Sequence, residues 1–241
     1  MSCLIGVTVY NSSRQIERVI RSLNSLEADL KKLEVKILII DNCSEDNTGK
    51  VSLDTIKELN SGIIKYIKNK TNLGLGGSQK KIFQIAQKQK YNFVGIFHGD
   101  DQADVNDLVF CIEKAKTNAI ILGARFMDGS TLIGYSKVRI IANKFFNFLF
   151  SLIFRTKVYD LGSGLNIYPV KALNKINYLE LPNDLSFNYY LSMQIFKGTS
   201  PYLYVPIAWT ETDQVSNAKL LPLGVTLLKI LKTEALNRHH R

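Results

Sequence analysis

The segment Phe97-His-Gly-Asp-Asp-Gln102 sets an imidazole, two carboxylates and an amide side by side at the end of an apolar run. Hard divalent cations take oxygen ligands, often one or two carboxylates together with substrate phosphates. Such a cation, bridging two phosphates, takes up the charge that develops when a nucleoside diphosphate leaves a sugar. On that chemistry Asp100 is the expected direct ligand of Mn2+ or Mg2+. His98 and Gln102 stand two residues to either side as supporting ligands. An imidazole in the set favours Mn2+. The same loop also suits a polar turn in which Asp101 or Asp104 caps the next helix.

Two further segments carry polar groups of the right kind. In Ile39-Ile-Asp-Asn-Cys-Ser-Glu-Asp-Asn-Thr48, Asp41 closes a strand and is placed to accept hydrogen bonds from a nucleobase, while Asp46 suits an N-cap. In Asn72-Leu-Gly-Leu-Gly-Gly-Ser-Gln-Lys-Lys81 the glycines permit close backbone approach at a helix start, where anions are favoured. The spacing is not that of a Walker loop. The nucleotide-binding set expected from the three segments and the strand end at Val9-Tyr10-Asn11 is Val9, Tyr10, Asn11, Asp41, Asn72, Gly74, Lys80, Gly99 and Asp100.

The elements that must position these loops alternate. Strand signals at Leu4–Tyr10, Val35–Ile40, Ile63–Lys68, Phe93–Phe97 and Ala119–Leu122 are separated by helix signals. Those helices are expected from Ser12 or Ser13 to Leu33, at Thr48–Leu59, from Gly74 to Lys90, and at Val105–Lys116. Near-continuous apolar strands between helices imply an α/β fold, a mostly parallel sheet with helices on both faces. Ligands of such sheets bind beyond the carboxyl ends of the strands, which is where the polar loops fall. Further on, Lys137–Arg155 reads as a helix, Leu161–Tyr168 as a turn and strand, Leu185–Phe196 as a helix and Tyr202–Pro206 as a strand. No Pro-, Gly- or Ser-rich linker divides the chain. The expectation is one domain over 1–241, with a nucleotide-binding half at 1–125, an acceptor half at 126–220 and a tail at 221–241.

Composition bounds the partners. The chain has 241 residues and a net charge of +10, which favours anionic partners. No aromatic-interleaved basic motif points to nucleic acid. Cys3, Cys43 and Cys111 form no CxxC pair and are read as reduced thiols. The longest apolar stretch, Ile140–Phe154, is interrupted by Asn143, Lys144, Asn147 and Ser151, and is shorter than the roughly 20 apolar residues of a spanning helix. The expected location is the cytoplasm, peripheral on the inner face of the membrane.

Taken together the motifs resemble glycosyltransferase family 2, especially its polyprenyl-phosphate branch. Val7-Thr-Val-Tyr-Asn11 is similar to the family's first strand, Ile40–Thr48 to its Asp-Asp-Gly-Ser-x-Asp-x-Thr segment, and Asn72–Lys80 to its Asn-x-Gly-x-Gly-Gly helix start. His98–Gln102 stands in the place of its Asp-x-Asp-x-Gln metal motif. Gly123-Ala-Arg-Phe126, Asp160-Leu-Gly-Ser-Gly-Leu165 and Val205-Pro-Ile207 are similar to its Gly-Ser-Arg-Phe, Asp-x-x-Ser-Gly-Phe and Val-Pro-Ile elements. The resemblance covers roughly residues 3 to 220. It implies a GT-A fold, a UDP- or GDP-sugar donor, a divalent metal and inversion at the anomeric carbon. His98 replaces the first Asp of the metal motif, as in a bacterial subgroup with His-Gly-Asp-Gly-Gln. Thr8 and Ser12 stand where Pro and Glu are usual, and no Arg follows Val-Pro-Ile within Trp209–Asp213.

Two acceptors fit this reading. A polyprenyl phosphate is already ionised and needs no general base. Arg125 and Arg139 are then expected to hold its phosphate. A sugar hydroxyl, as in capsule or lipopolysaccharide assembly, needs a base, for which Asp184 is placed, although it also suits an N-cap. The helix near 140–154 is so apolar that it must bury nearly every side. It either packs within the protein or a homo-oligomer, or lies in an anionic membrane surface with Arg139, Lys144 and Arg155 at the head groups, and Phe146 and Phe150 among its lipid-facing residues.

Overall fold

The computed structural model describes residues 2–213 and 220–239. β1 (Cys3–Val9), β2 (Val35–Asp41), β3 (Ile64–Lys68) and β4 (Phe93–His98) alternate with α1 (Ile16–Ser25), α2 (Glu27–Lys32), α3 (Thr48–Leu59) and α4 (Gly74–Lys88). α5 (Val105–Ala115) leads to β5 (Ile120–Ala124). The chain continues through β6 (Thr131–Ile133), α6 (Lys137–Phe154), β7 (Leu165–Pro169), the short α7 (Val170–Leu173), α8 (Phe187–Lys197), β8 (Tyr202–Pro206), β9 (Ala208–Thr210) and α9 (Leu220–His239).

The main sheet runs β3-β2-β1-β4-β7-β5-β8. All its pairings are parallel except those of β7, which is antiparallel to both β4 and β5. Successive residues of a strand face opposite ways. Ile37 and Ile39 accordingly join the core under α1 and α5, while Leu38 and Ile40 join the one under α4 and α8. Burial on both faces is why these strands read as unbroken apolar runs. Cys3 and Cys111 are free thiols within this core, each pushed up to about 12 by burial.

Register aligns the strand ends. Val9 pairs with Asp41, Thr8 with His98, and Asp41 with Lys68, so β1 to β4 end on one rim. Because β7 runs the other way, its entrance is at that rim: Leu165 pairs with Phe97, which brings Asp160–Gly164 alongside His98. β5 ends there too, just before Arg125. A small sheet, β6 beside β9, closes that end.

Local boundaries depart from expectation in three places. The helix expected from Ser12 or Ser13 to Leu33 is two helices. The Ser12 carbonyl accepts from Gln15 and Ile16, and the Ser12 N–H donates to Thr48 Oγ1, which holds the start back to Ile16. Asn47, not Asp46, occupies the N-cap position of α3, although Asp46 Oδ1 accepts the Thr48 N–H at 2.9 Å. Asp104 does cap α5, accepting from the Asn106 N–H.

The third departure is α6, which is neither buried on every side nor polar-side-out. Its neutral polar residues Asn143, Asn147 and Ser151 turn inward, while Lys137 and Lys144 stay exposed. Asn147 is buried and donates to the Tyr159 carbonyl at 2.6 Å, and Ser151 Oγ accepts the Val158 N–H at 2.9 Å. The cause is the chain reversal at Arg155, in the left-handed region at φ 51°, which lays residues 156–159 back along the polar face and satisfies it. Phe150 and Phe154 pack into a separate core with α8 and α9, so Phe150 does not face outward as expected. The outward stripe is Val138, Ile141, Phe145, Phe148 and Leu152, each 53–70% exposed. Among the described residues, no helix is long and apolar enough to cross a membrane.

Candidate active site

Asp100 is the central group on the rim. Its side chain is 35% exposed, and its Oδ2 lies 3.9 Å from His98 Nδ1. Oδ1 receives a long contact, 3.4 Å, from the Gln102 N–H. Burial pushes the Asp100 carboxyl above its usual range against the opposing pull of His98, and burial lowers the His98 imidazole against the pull of Asp100. His98 is pinned from behind, since a Cβ on Gly164 would lie 2.6 Å from its Nδ1 and 3.0 Å from the Trp209 ring. Among the described residues, the buried atoms His98 Nε2, Trp209 Nε1 and Thr8 Oγ1 find no hydrogen-bond partner.

These residues suit a divalent cation in part. Ligand bonds of about 2.0–2.2 Å let one cation reach both His98 Nδ1 and Asp100 Oδ2 across their 3.9 Å gap. Gln102 donates its Nε2 to Glu211 at 3.1 Å, which leaves its amide oxygen for another partner. Among the described residues no cluster of three or more His, Cys, Asp or Glu forms a metal cage. A cation here would rely on the donor's phosphates to complete its shell.

The two arginines expected to be open to an acceptor are both paired. Arg125 is buried and bound bidentately to Asp160, Nε to Oδ2 at 2.7 Å and Nη2 to Oδ1 at 2.9 Å, and its own N–H also donates to Oδ2. Asp160 further accepts the Gly162 N–H. The guanidinium lies 5.0 Å from the Trp209 ring. Arg125 therefore clamps the loop that presses against His98, and its guanidinium is engaged by Asp160. Arg139 gives Nη1 to both oxygens of Glu211 at 2.7 Å and covers the Tyr135 ring at 4.3 Å.

The nucleotide side is similarly furnished. Asp41 is fully buried, with Oδ1 accepting the Ser44 N–H and Oδ2 the Tyr66 hydroxyl, each at 2.7 Å. Its carboxylate shapes the loop and is not the open acceptor foreseen. Asn42 interlocks with Asn72 and accepts the Leu73 N–H. Val9 is buried and Gly99 is packed on it, while Tyr10 and Asn11 stand exposed, Asn11 at φ 49°.

The glycine-rich helix start departs furthest from expectation. A Cβ on Gly74 (φ +74°) would meet the Asn183 carbonyl at 2.3 Å, and one on Gly76 would meet Pro182 O and Phe187 at 2.6 Å. The close approach these glycines permit is to the chain's own 182–187 loop. Lys80 is buried beneath the same loop, donating to the carbonyls of Leu179 and Leu181 and to Asn183 Oδ1 at 2.7 Å. In this structure it anchors that loop. The loop carries Asp184, which is exposed and accepts the Ser186 N–H and hydroxyl. Lys80→Met should therefore lower stability by about 1.5–3 kcal/mol, the worth of a charged hydrogen bond, and open the 179–184 segment to limited proteolysis. An unchanged urea midpoint and cleavage pattern would refute the anchor.

Sequence reasoning missed Asp160 as the partner of Arg125 and Glu211 as the partner of Arg139 and Gln102. The first lay within a named motif. The second had no sequence signal, because its partners lie 72 and 109 residues away.

A mostly parallel sheet with β7 reversed, its polar loops gathered on the carboxyl rim around an Asp-centred turn, defines a GT-A glycosyltransferase fold. Residues 4–176 match glycosyl transferase family 2, and the chain belongs to that family. It is 24% identical over 218 residues to a dolichyl-phosphate beta-glucosyltransferase of Dictyostelium discoideum, covering 88% of this chain and 65% of that protein's length. Among solved structures it resembles S. aureus TarS 1-349 in complex with UDP-GlcNAc, with a TM-score of 0.64 at 21% identity over 98% of this chain and 67% of that one. It also resembles glucosyl-3-phosphoglycerate synthase from Mycobacterium tuberculosis in complex with Mn2+, UDP and phosphoglyceric acid, with a TM-score of 0.64 at 12% identity over 98% of this chain and 78% of that one.

Proposed function

We propose that this glycosyltransferase moves a sugar from a UDP- or GDP-sugar to a polyprenyl phosphate at an anionic membrane surface. The observation that carries the acceptor is the outward apolar stripe of α6. Val138, Ile141, Phe145, Phe148 and Leu152 recur at spacings of three and four on one face of the helix. Lys137, Lys144 and Arg155, also exposed, are spaced seven and eleven residues apart and so form a line beside that stripe. A lipid surface fits both, with tails against the stripe and anionic head groups against the basic line. The dolichyl-phosphate relative points to the same acceptor class.

The chemistry follows from the rim. An acceptor phosphate oxygen forms its bond to the anomeric carbon as the bond to the donor's β-phosphate oxygen breaks, and the nucleoside diphosphate departs. Attack from the opposite face inverts that carbon. No base is needed, so rate comes from positioning and charge stabilisation. A divalent metal, Mn2+ or Mg2+, held by Asp100 with His98 and Gln102, supplies that stabilisation when bound. Tyr10 and Asn11 border the nucleotide, with Asn42 and Asn72 beyond them. The Arg125–Asp160 clamp keeps His98 facing Asp100.

Membrane docking is read by flotation with liposomes containing anionic lipid. The wild-type chain should co-float at low salt. Phe145→Glu with Phe148→Glu should leave it at the bottom of the gradient with an unchanged unfolding midpoint, because both side chains are exposed. Burying a Phe stabilises by about 1.5–3 kcal/mol, so losing two lowers partitioning well over tenfold. A wild-type chain that stays soluble would instead favour a homo-oligomer through this face. The alternative acceptor, a sugar hydroxyl, has one specific support: Asp184 is exposed, at the start of α8, beside the glycine-rich turn. A glycan product that stays in water, and its loss in Asp184→Asn, would select that reading over an extractable lipid-linked sugar.

A further inference from the structure

We infer that Glu211 is an internal stand-in for the acceptor's anion, occupying Arg139 until a phosphate displaces it. The inference rests on the polyprenyl-phosphate reading and deepens it.

Arg139 sits in the first turn of α6, between Val138 and Ile141, which are 68% and 70% exposed. Arg139 is joined to the metal turn through Glu211 and Gln102, so a phosphate that meets the donor at that turn arrives beside this guanidinium. The position is already held by a carboxylate, both oxygens of Glu211 at 2.7 Å from Arg139 Nη1. Both side chains are about four-fifths covered, at 22% and 18% exposed. Guanidinium donates to carboxylate and to phosphate oxygens in the same way, so the two anions compete for one cation.

Glu211 is also wired to the metal turn. Its Oε1 accepts from Gln102 Nε2 at 3.1 Å, and β9 holds that turn through the Thr210 N–H, which donates to the Gln102 carbonyl at 2.8 Å. When phosphate takes Arg139, Glu211 keeps its bond to Gln102 and loses its cation. A neutral alcohol has no charge with which to displace the carboxylate, so it leaves the ion pair in place and its binding does not depend on Glu211.

The test uses two ligands with the same tail, farnesyl phosphate and farnesol, titrated calorimetrically into the full chain. Glu211→Gln keeps the bond to Gln102 and removes the competing charge. It should bind farnesyl phosphate about tenfold more tightly than wild type, with farnesol binding and the donor KM unchanged. Glu211→Asp restores the charge and should return affinity towards wild type. Equal or weaker phosphate binding in Glu211→Gln overturns the inference, as does an equal gain for both ligands. Should Glu211→Gln fail to fold, Arg139→Gln decides the matter, because it must weaken farnesyl phosphate and spare farnesol; unchanged phosphate binding there also overturns the inference. Turnover separates the two claims. If wild type makes no lipid-linked sugar yet the phosphate affinities shift as expected, the acceptor assignment fails while the anion competition stands.

Discussion

Asp100→Ala should abolish sugar transfer while leaving the protein folded. The side chain is 35% exposed and its hydrogen bond from the Gln102 N–H is long, so its removal costs little stability. Its chemical role is larger. A metal that neutralises a departing diphosphate supplies several kcal/mol of transition-state stabilisation. At about 1.4 kcal/mol per factor of ten, the loss is roughly 10³-fold or more in kcat. The measurement is release of nucleoside diphosphate, with and without EDTA, alongside an unfolding curve. EDTA should bring the wild type down towards the variant. Full turnover in Asp100→Ala, or wild-type activity indifferent to EDTA, would remove the metal from the proposed mechanism.

Breaking the Arg125–Asp160 pair should give the largest loss of stability. Both side chains are nearly covered, at 9% and 1% exposed. Truncating one partner leaves the other charge buried, at a cost of about 3–5 kcal/mol. For a chain of this size that lowers Tm by roughly 6–20 °C. Arg125→Met and Asp160→Leu should each show it, and the double variant should be more stable than either, because no charge is then left alone. Activity separates clamp from ligand. In the double variant the fold returns but the 160–164 loop loses its tie, so kcat should stay low while the acceptor KM changes little. An acceptor KM raised a hundredfold in the double variant, at normal kcat, would restore Arg125 to the role of phosphate ligand.

Much of the architecture was legible from residues alone. β1 to β5 and α3 to α5 lie within a few residues of their expected bounds, because apolar runs and turn residues are local signals. The rim was legible too, since parallel strands place their carboxyl-end loops together whatever the loops contain. Segment boundaries slipped where a distant partner intervened, as at Ser12, whose N–H is taken by Thr48.

The sequence by itself determined the sheet, the rim, and Asp100 as its central carboxylate. It could not decide which charges on that rim are free. Arg125, Arg139, Lys80 and Asp41 all read as ligand-binding groups, and each is engaged by a residue or loop of the chain's own. Pairing over 35, 72 and 103 residues has no periodicity to read. The direction of α6 was also beyond the sequence. Helical spacing showed that Asn147 and Ser151 share a face, but only the reversal after Phe154 turns that face inward and leaves the apolar one outside. The physical reason is the same in both cases. A polar group goes where its hydrogen bonds are completed, and here the partners that complete them are brought by the tertiary fold.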